Sequence, residues 1–537
     1  MALPPALAPL RHKLFRVLWL ANVVVSIGVW MQNTGAGWLM ATLSPDALMV
    51  SLVQAATIMP VFLLALPAGA IGDIVDRRVL ILITQSWMLA SAVLLTVLTL
   101  GGLTGPWALL ALTFAIGLGS AMNNPSWGSV MAEAVPRGDL AQAIALNGVG
   151  FNLARAVGPA IAGFVLLAGG PGLTFGLNAL TYLAVIGVLI TWHRRKRTPA
   201  LPPEKLSGAI RAGLRFVRHT PSMRAAMIRA AAFFAPCAGP WGVLPLVVRE
   251  QLHLGAAFYG TLLGLMGIGG VTAGLLLPQL RSRASRGSIV FGATLMSCAG
   301  MAMLALATHW LMASVAMFMF GLGWVAAASV TQGAAQMASP AWVRARALAI
   351  YQLASNFALA GGTFFWGWVG TQVGLSSALL IAAGVGTLIA AIARSFRLEA
   401  TEAQSGPTPP QSTTPTESIA PALVPVLSVT RDRVMETQHY HVAPDDKEAF
   451  LAAMVELRDV RGRAGAILWN LGEDISDPNH WVELWWMESW TDHLREAGRL
   501  SDGDRAALAR AMAFHTGAEP IRQRRYLMVN PLRPDVV

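Results

Sequence analysis

A chain of 537 residues that is 55% hydrophobic and only 12% charged, with a mean hydropathy of +0.55, is not an ordinary soluble protein. Its formal charge of +11 would suit nucleic acid, but the basic residues form no single patch; they fall at the ends of apolar runs and in every second connection between them. The two cysteines, Cys237 and Cys298, both lie inside apolar runs, which excludes a disulfide-stapled secreted scaffold.

Apolar runs of about 20 residues or more, enough to cross roughly 30 Å of hydrocarbon as helix, recur through the first 397 residues. The pattern predicts spans over 15–41, 48–70, 79–101, 106–132, 141–168 and 172–192, then 223–248, 256–279, 288–308, 310–337, 343–370 and 374–394. Arg11, Lys13 and Arg16 precede the first span as they would a signal peptide. That span is too long for one, lacks a small-residue cleavage site, and carries Asn22, Gln32 and Asn33, which suit a helix lining a polar path. Arg77 and Arg78, Arg137, Arg194 to Arg197, Arg281 and Arg283, Arg344 and Arg346, and Arg394 occupy both ends of the bundle and alternate connections. By the positive-inside rule both termini are cytoplasmic, which requires an even number of spans in a multi-pass plasma (inner) membrane protein.

Between the second and third spans lies Gly69-Ala-Ile-Gly72-Asp73-Ile-Val-Asp76-Arg77-Arg78. Its glycines permit a tight turn and close helix approach, and its charges can form pairs that change with conformational state. The fourth span ends at Glu133, and no Asp or Glu falls deep in any span, so a transported proton has only rim carboxylates such as Asp73 and Glu133 to use.

The fifth span contains Phe151-Asn152-Leu-Ala-Arg155-Ala-Val-Gly158-Pro159-Ala-Ile-Ala-Gly163. A charge at mid-span is costly unless it faces a polar cavity or finds a partner. Facing a cavity, Arg155 favours an anionic or carbonyl-rich substrate; the bland alternative is a guanidinium satisfied by helix-end carbonyls and Asn side chains. Gly158, Pro159 and Gly163 suit a close small-residue helix contact. With Asn152, Asn33, Gln32, Gln332 and Asn356, and with Trp30, Trp38, Trp127, Trp324, Trp366 and Trp368, the spans imply an amphipathic cavity.

The two halves repeat. Gly69–Arg78 aligns with Gly274–Arg283, and Ala141–Leu146 with Ala345–Ile350, both about 205 residues on, which places Asn152 on Asn356 and Asp73 on Pro278. Six spans per half make the repeat parallel. The organisation is then a six-helix half (1–192), a connector (193–222), a second half (223–397), a disordered linker rich in Pro, Ser and Thr (398–423) and a soluble domain (424–537). In the connector Leu206, Ile210, Leu214 and Val217 recur at helical spacing among basic residues, the pattern of an amphipathic helix at the cytoplasmic membrane interface. The soluble domain reads as strand, helix, two strands, helices and strand, a ferredoxin-like α+β order. His439 and His441 share one strand face, where packing is the ordinary role; no metal, nucleotide or other cofactor is implied.

The decapeptide at Gly69 and the Asn152–Pro159 segment resemble the major facilitator superfamily, and most closely its exporter branch of enterobactin exporters and macrolide-efflux carriers, the transmembrane secretion effector type. The resemblance implies twelve transmembrane helices and inner-side gating by Asp73, Asp76, Arg77, Arg78 and Glu133 with Arg344 and Arg346. Ile74 and Asp76 depart from the usual loop, and Ala154 replaces the first glycine of the antiporter motif. The soluble domain, with Trp469, Trp485, Trp486, Trp490 and His493, resembles the antibiotic-biosynthesis monooxygenase fold, which implies dimerisation. The expected function is export of an amphipathic drug-like or siderophore-like molecule by alternating access, coupled to protons. The alternative is a membrane-tethered enzyme whose soluble domain modifies a delivered substrate. An importer is a third class, since alternating access is reversible.

Overall fold

The computed structural model describes residues 5–74, 76–191, 206–340, 343–396, 398 and 433–528. The predicted linker over 398–423 lies almost wholly outside them, as do the connector residues 193–205. The chain divides into two compact units: Met1–Pro203 with Met227–Gln332 and Gln352–Arg397, and Glu204–Ala226 with Gly333–Tyr351 and Leu398–Val537.

The first unit is helical. Its elements include α1 (Lys13–Leu43), α2 (Ala47–Ile74), α3 (Arg77–Leu100), α4 (Pro106–Glu133) and α5 (Leu140–Thr191). They continue with α7 (Pro221–Phe234), α8 (Gly239–Leu246), α9 (Ala256–Arg283), α10 (Arg286–Ala305), α11 (Trp310–Met337), α12 (Arg344–Val373) and α13 (Leu375–Ala393); α6 (Leu206–His219), which precedes α7, lies in the second unit. Some of these helices run into the second unit. Among the described residues nine helices are long and apolar enough to cross a membrane, or ten when one bent pair counts as a single span.

Two predicted spans, 141–168 and 172–192, lie within α5, whose 52 residues are interrupted at Gly169 and Gly170. Gly170 has φ 70°, a conformation that costs glycine nothing, and Pro171 follows it. The predicted span 223–248 is not one straight helix. Pro236, Pro240 and Pro245 break it into α7, a 3-10 turn at Pro236–Ala238, α8 and a π turn at Val247–Gln251, with a bend of 42°. Over the predicted span 343–370, α12 is helical, but Gln352, Asn356 and its glycines keep it outside the nine.

The core of this unit joins Met40, Val50, Phe233, Leu246, Phe320 and Trp324, and a second cluster joins Phe15, Ile81, Trp127, Leu146 and Val185. Phe164, Leu167, Leu103 and Leu275 stand at least 70% exposed, a distribution that water would penalise and lipid does not. Since lipid gives apolar side chains no reason to leave it, helix association depends on close packing. It is close where α5 crosses α9: a Cβ on Gly260 would lie 2.5 Å from the Gly163 Cα and 2.7 Å from the Pro159 carbonyl oxygen.

The second unit contains an antiparallel sheet of β1 (Val434–His441), β2 (Leu468–Glu473), β3 (His480–Met487) and β4 (Arg522–Leu527), in the order β2-β3-β1-β4. Alternation sends Tyr440, Trp481, Trp485 and Met487 inward with Phe450, Met454, Leu457 and Val460 of α14 (Lys447–Ala464); α15 (Trp490–Arg499) and α16 (Asp502–Met512) follow β3. Ser501 and Asp504 form a capping box at the start of α16.

The connector helix α6 belongs to this same unit and packs on α14. Phe216 and Val217 are buried, His219 Nδ1 lies 3.2 Å from Asp459 Oδ1, and Arg463 donates to the His219 carbonyl at 3.1 Å. Arg211 pairs with Glu488, and Gly462 passes so near the His219 ring that a Cβ there would sit 2.9 Å away. The amphipathic helix expected at a membrane interface thus also makes a protein contact, with Phe216 and Val217 buried while Leu214 of the same apolar stripe stays 51% exposed.

Candidate substrate cavity

Residues from α1, α2, α5, α8, α9 and α11 enclose a cavity. The cavity has a volume of about 40 Å³. That is room for about three waters.

Among the sequence candidates, Arg155, Asn33, Trp30, Gln54, Trp324 and Pro159 converge on this cavity. Arg155 has no hydrogen-bond or ion-pair partner among the described residues. The bland reading of Arg155 instead describes two other arginines. Arg229, 4% exposed, donates to the carbonyls of Phe396 (3.1 Å), Gly287 (3.3 Å) and Arg394 (3.4 Å); Arg78 donates to those of Leu189 and Ile190, each at 2.9 Å. These two guanidiniums neutralise helix-end carbonyls, where cations are favoured; Arg155 does not.

The aromatic wall is wider than the sequence suggested. Trp241 lies 6.1 Å from Trp30 and 5.3 Å from Trp324, ring centre to ring centre, and its indole N–H is buried without an acceptor. Tyr259 lines the cavity and stacks on Trp38 at 5.9 Å. Neither Trp241 nor Tyr259 was legible as a site residue, because each belongs to an apolar run and gains meaning only from the helices facing it.

Other candidates lie elsewhere. Gln32 Oε1 accepts from Asn178 Nδ2 at 2.8 Å inside the α1–α5 contact, and Asn22 donates to Asn147 at 2.9 Å. Gln332 and Asn356 are half-buried and not among the lining residues. The side chain of Asn152 lies outside the described ones. Trp366 donates to the Ala235 carbonyl at 2.9 Å, while Trp368 is 48% exposed. Gly158 packs on Trp30, and Gly163 on α9.

At one end of the first unit, Arg77 Nη1 meets Glu133 Oε1 at 2.6 Å, and Asp76 caps α3 by accepting from the backbone N–H groups of Arg78 (2.9 Å) and Val79 (3.4 Å). Gly69, Gly72 and Asp73 fall in the last two turns of α2, with their surroundings outside the described ones. Arg344 and Arg346 belong to the second unit, where Arg344 donates to the Ser339 carbonyl at 3.1 Å.

The soluble domain holds a buried polar network. Arg461 donates to Glu483 (2.9 Å), Glu496 (3.0 Å) and Gln438 (3.1 Å) and lies 3.6 Å over the Trp485 ring. His493 Nδ1 meets Glu436 Oε1 at 2.6 Å, while Arg525 lies 3.4 Å from Glu436. Glu436, His493 and Glu496 come near enough to share a metal ion. Arg461 and Arg525 already supply the positive charge those carboxylates need, so the network is neutralised from within. His439 pairs across the sheet with His480 at 3.2 Å rather than with His441.

The profile of the transmembrane secretion effector family matches residues 5–532. A staphyloferrin A transporter of Staphylococcus aureus is 23% identical over 48% of this chain and 66% of its own, slightly under two thirds of its length. An enterobactin exporter of Shigella flexneri is 24% identical over 59% of this chain and 75% of its own. Among solved structures, an inward-facing, unoccupied bacterial homologue of the human lysosomal transporter Spinster superposes with a TM-score of 0.56 at 16% identity, covering 72% of this chain and 96% of that one. A POT family transporter in complex with 5-aminolevulinic acid gives 0.61 at 12% identity, covering 72% and 96%. At such identities the structures speak for the fold alone.

Proposed function

This chain belongs to the transmembrane secretion effector family of major facilitator transporters, and from that premise we propose that it exports an amphipathic organic molecule from the cytoplasm by alternating access. The family is one of transporters, so the chain is a carrier and not an enzyme. In the proposed arrangement twelve helices cross the plasma (inner) membrane with both termini cytoplasmic, α5 supplies two spans, and α7 with α8 supplies one broken span.

The observation that carries the reading is the cavity: a partnerless guanidinium, the amides of Asn33 and Gln54, and indole walls enclosed by six helices. Such a mixture of one charge, few polar groups and flat apolar surface suits an amphipathic ligand. The relatives named for staphyloferrin A and enterobactin support the siderophore class, with drug-like molecules as the wider set. Because no carboxylate lines the cavity among the described residues, the proposed proton coupling falls to the rim, where Glu133 pairs with Arg77. Asp73, Arg344 and Arg346 complete the proposed inner gate. The strand order β2-β3-β1-β4 favours a ferredoxin-like reading of the soluble domain, which is the proposed place of dimerisation.

The test compares cells with and without the protein for accumulation of siderophores and amphipathic drugs. Export predicts lower accumulation with the protein present, abolished by a protonophore and reduced at least severalfold by Glu133→Gln. Higher accumulation with the protein present makes it an importer, and protonophore-insensitive export removes the proton from the cycle.

A further inference from the structure

Among the described residues that line the cavity, Arg155 is the only ionisable side chain apart from the Tyr259 phenol, and no Asp, Glu or His accompanies it. In the first 397 residues the carboxylates are Asp46, Asp73, Asp76, Glu133, Asp139, Glu204 and Glu250, and none with a described side chain is among the cavity residues. The described ones that form ion pairs do so elsewhere, Glu133 with Arg77 and Asp139 with His12 at 2.8 Å. Arg229 and Arg78 show that this fold readily satisfies a guanidinium with backbone carbonyls. Arg155 is left without such partners in a space holding about three waters. The Trp241 indole N–H, buried without an acceptor between Trp30 and Trp324, faces the same shortage. Two donors and no protein anion leave one kind of group missing.

We infer that the cavity is built for an organic anion: its negative group is the counter-ion of Arg155, the Trp241 N–H is the second donor, and a planar apolar body lies against Trp30, Trp241 and Trp324. The inference rests on the export reading and deepens it. It also gives the cycle a condition. Closing the cavity removes water from Arg155, and burying a charge is costly unless it is paired. An empty carrier therefore occludes reluctantly, and an anion-loaded one does so freely. The substrate's charge is then what permits the helices to close, and a neutral analogue of the same shape fails at that step.

The experiment places a reporter thiol at the cavity, Asn33→Cys, in the full chain with Cys237 and Cys298 replaced by Ala, and reacts it in membranes with methanethiosulfonate reagents bearing a sulfonate or a trimethylammonium group. The ratio of anionic to cationic reaction rates is compared with that of the same protein carrying Arg155→Gln or Arg155→Lys. With Arg155 or Lys present the ratio exceeds that of the Gln variant by about tenfold or more, well within the pull of one charge a few ångströms away at an effective dielectric of about 20. Equal ratios across the three proteins overturn the inference. Uptake of 2-naphthalenesulfonate and of its neutral sulfonamide into everted vesicles is then measured in the native chain, Arg155→Gln and Trp241→Phe. Selective transport of the sulfonate, lost in Arg155→Gln and weakened severalfold in Trp241→Phe, supports it. Transport of the sulfonamide unaffected by Arg155→Gln overturns the anion while leaving export intact; a thiol that neither reagent reaches, together with no transport of either compound, overturns the export reading as well.

Discussion

His493 and Glu436 meet at 2.6 Å inside the soluble domain. Burial alone disfavours the His493 cation, but the hydrogen bond and charge of Glu436, with Glu496 behind, outweigh it and hold the imidazole pKa above its ordinary value. A histidine whose pKa rises on folding stabilises the fold fully below the unfolded value of about 6.5, and the contribution disappears as pH climbs through the higher folded value. The soluble domain should therefore lose stability as pH rises above 6.5. Trp490 reports on the proton, since its ring centre lies 4.7 Å from that of His493 and an imidazolium quenches indole emission. The difference in emission between the native protein and Trp490→Phe should titrate with a midpoint above 6.5, and His493→Gln should abolish the transition. A midpoint at or below 6.5 would sink the assignment. At this scale the sequence was uneven. Arg155 announced itself as a charge inside an apolar run, but Trp241 stands among prolines and aliphatics that look like any buried segment. Its role comes from an indole N–H left without an acceptor, which only tertiary packing decides.

At the scale of elements, the crossing of α5 and α9 shows what hydropathy can and cannot convey. The number and rough position of apolar helices follow from one-dimensional pattern, because lipid selects length and composition. Breaks do not. Gly169 and Gly170 turn α5 without a polar loop, and three prolines bend the α7–α8 segment within a stretch that remains apolar throughout. The motif glycines Gly158 and Gly163 were legible as a packing stripe, but Gly260, against which Gly163 closes, gave no separate signal. Gly260→Leu should separate these helices, since even its Cβ would fall 2.5 Å from backbone. Transport should drop at least tenfold while the protein still reaches the membrane, a rise of about 1.4 kcal/mol or more in the effective barrier. Gly274→Ala, where nothing lies within 4 Å, is the control and should transport normally. Normal transport by the Gly260 variant would show that this close approach is not needed in the cycle.

For the whole molecule, the division into units cuts across the division into sequence regions. Hydropathy puts α6 with the membrane bundle and residues 424–537 apart from it, whereas α6 and the sheet domain form one packed body. The pattern of α6 could not distinguish lipid from protein, because an amphipathic helix offers both the same apolar stripe beside the same basic flank. Energetics says which contacts hold it. Partly exposed pairs such as His219–Asp459 are worth about 0–1 kcal/mol each, whereas full burial of a side chain like Phe216 or Val217 is worth about 1.5–3 kcal/mol. Removing residues 424–537 should strip the cover from that apolar face. In reconstituted vesicles, trypsin should then cut after Arg211, Arg215 or Arg218 at least tenfold faster than in the full chain, since cleavage rate follows the population of the opened helix. Reversing two peripheral charges by Glu488→Arg and Asp459→Arg should accelerate cleavage by much less, because the buried side chains remain covered. Equal protection in the full and shortened proteins would mean that α6 is held by the bilayer, the role its sequence alone suggests. Faster cleavage with unaltered efflux would establish the soluble domain as a support for the connector that transport does not need. Faster cleavage with altered efflux would make the α6–α14 contact part of the transport cycle.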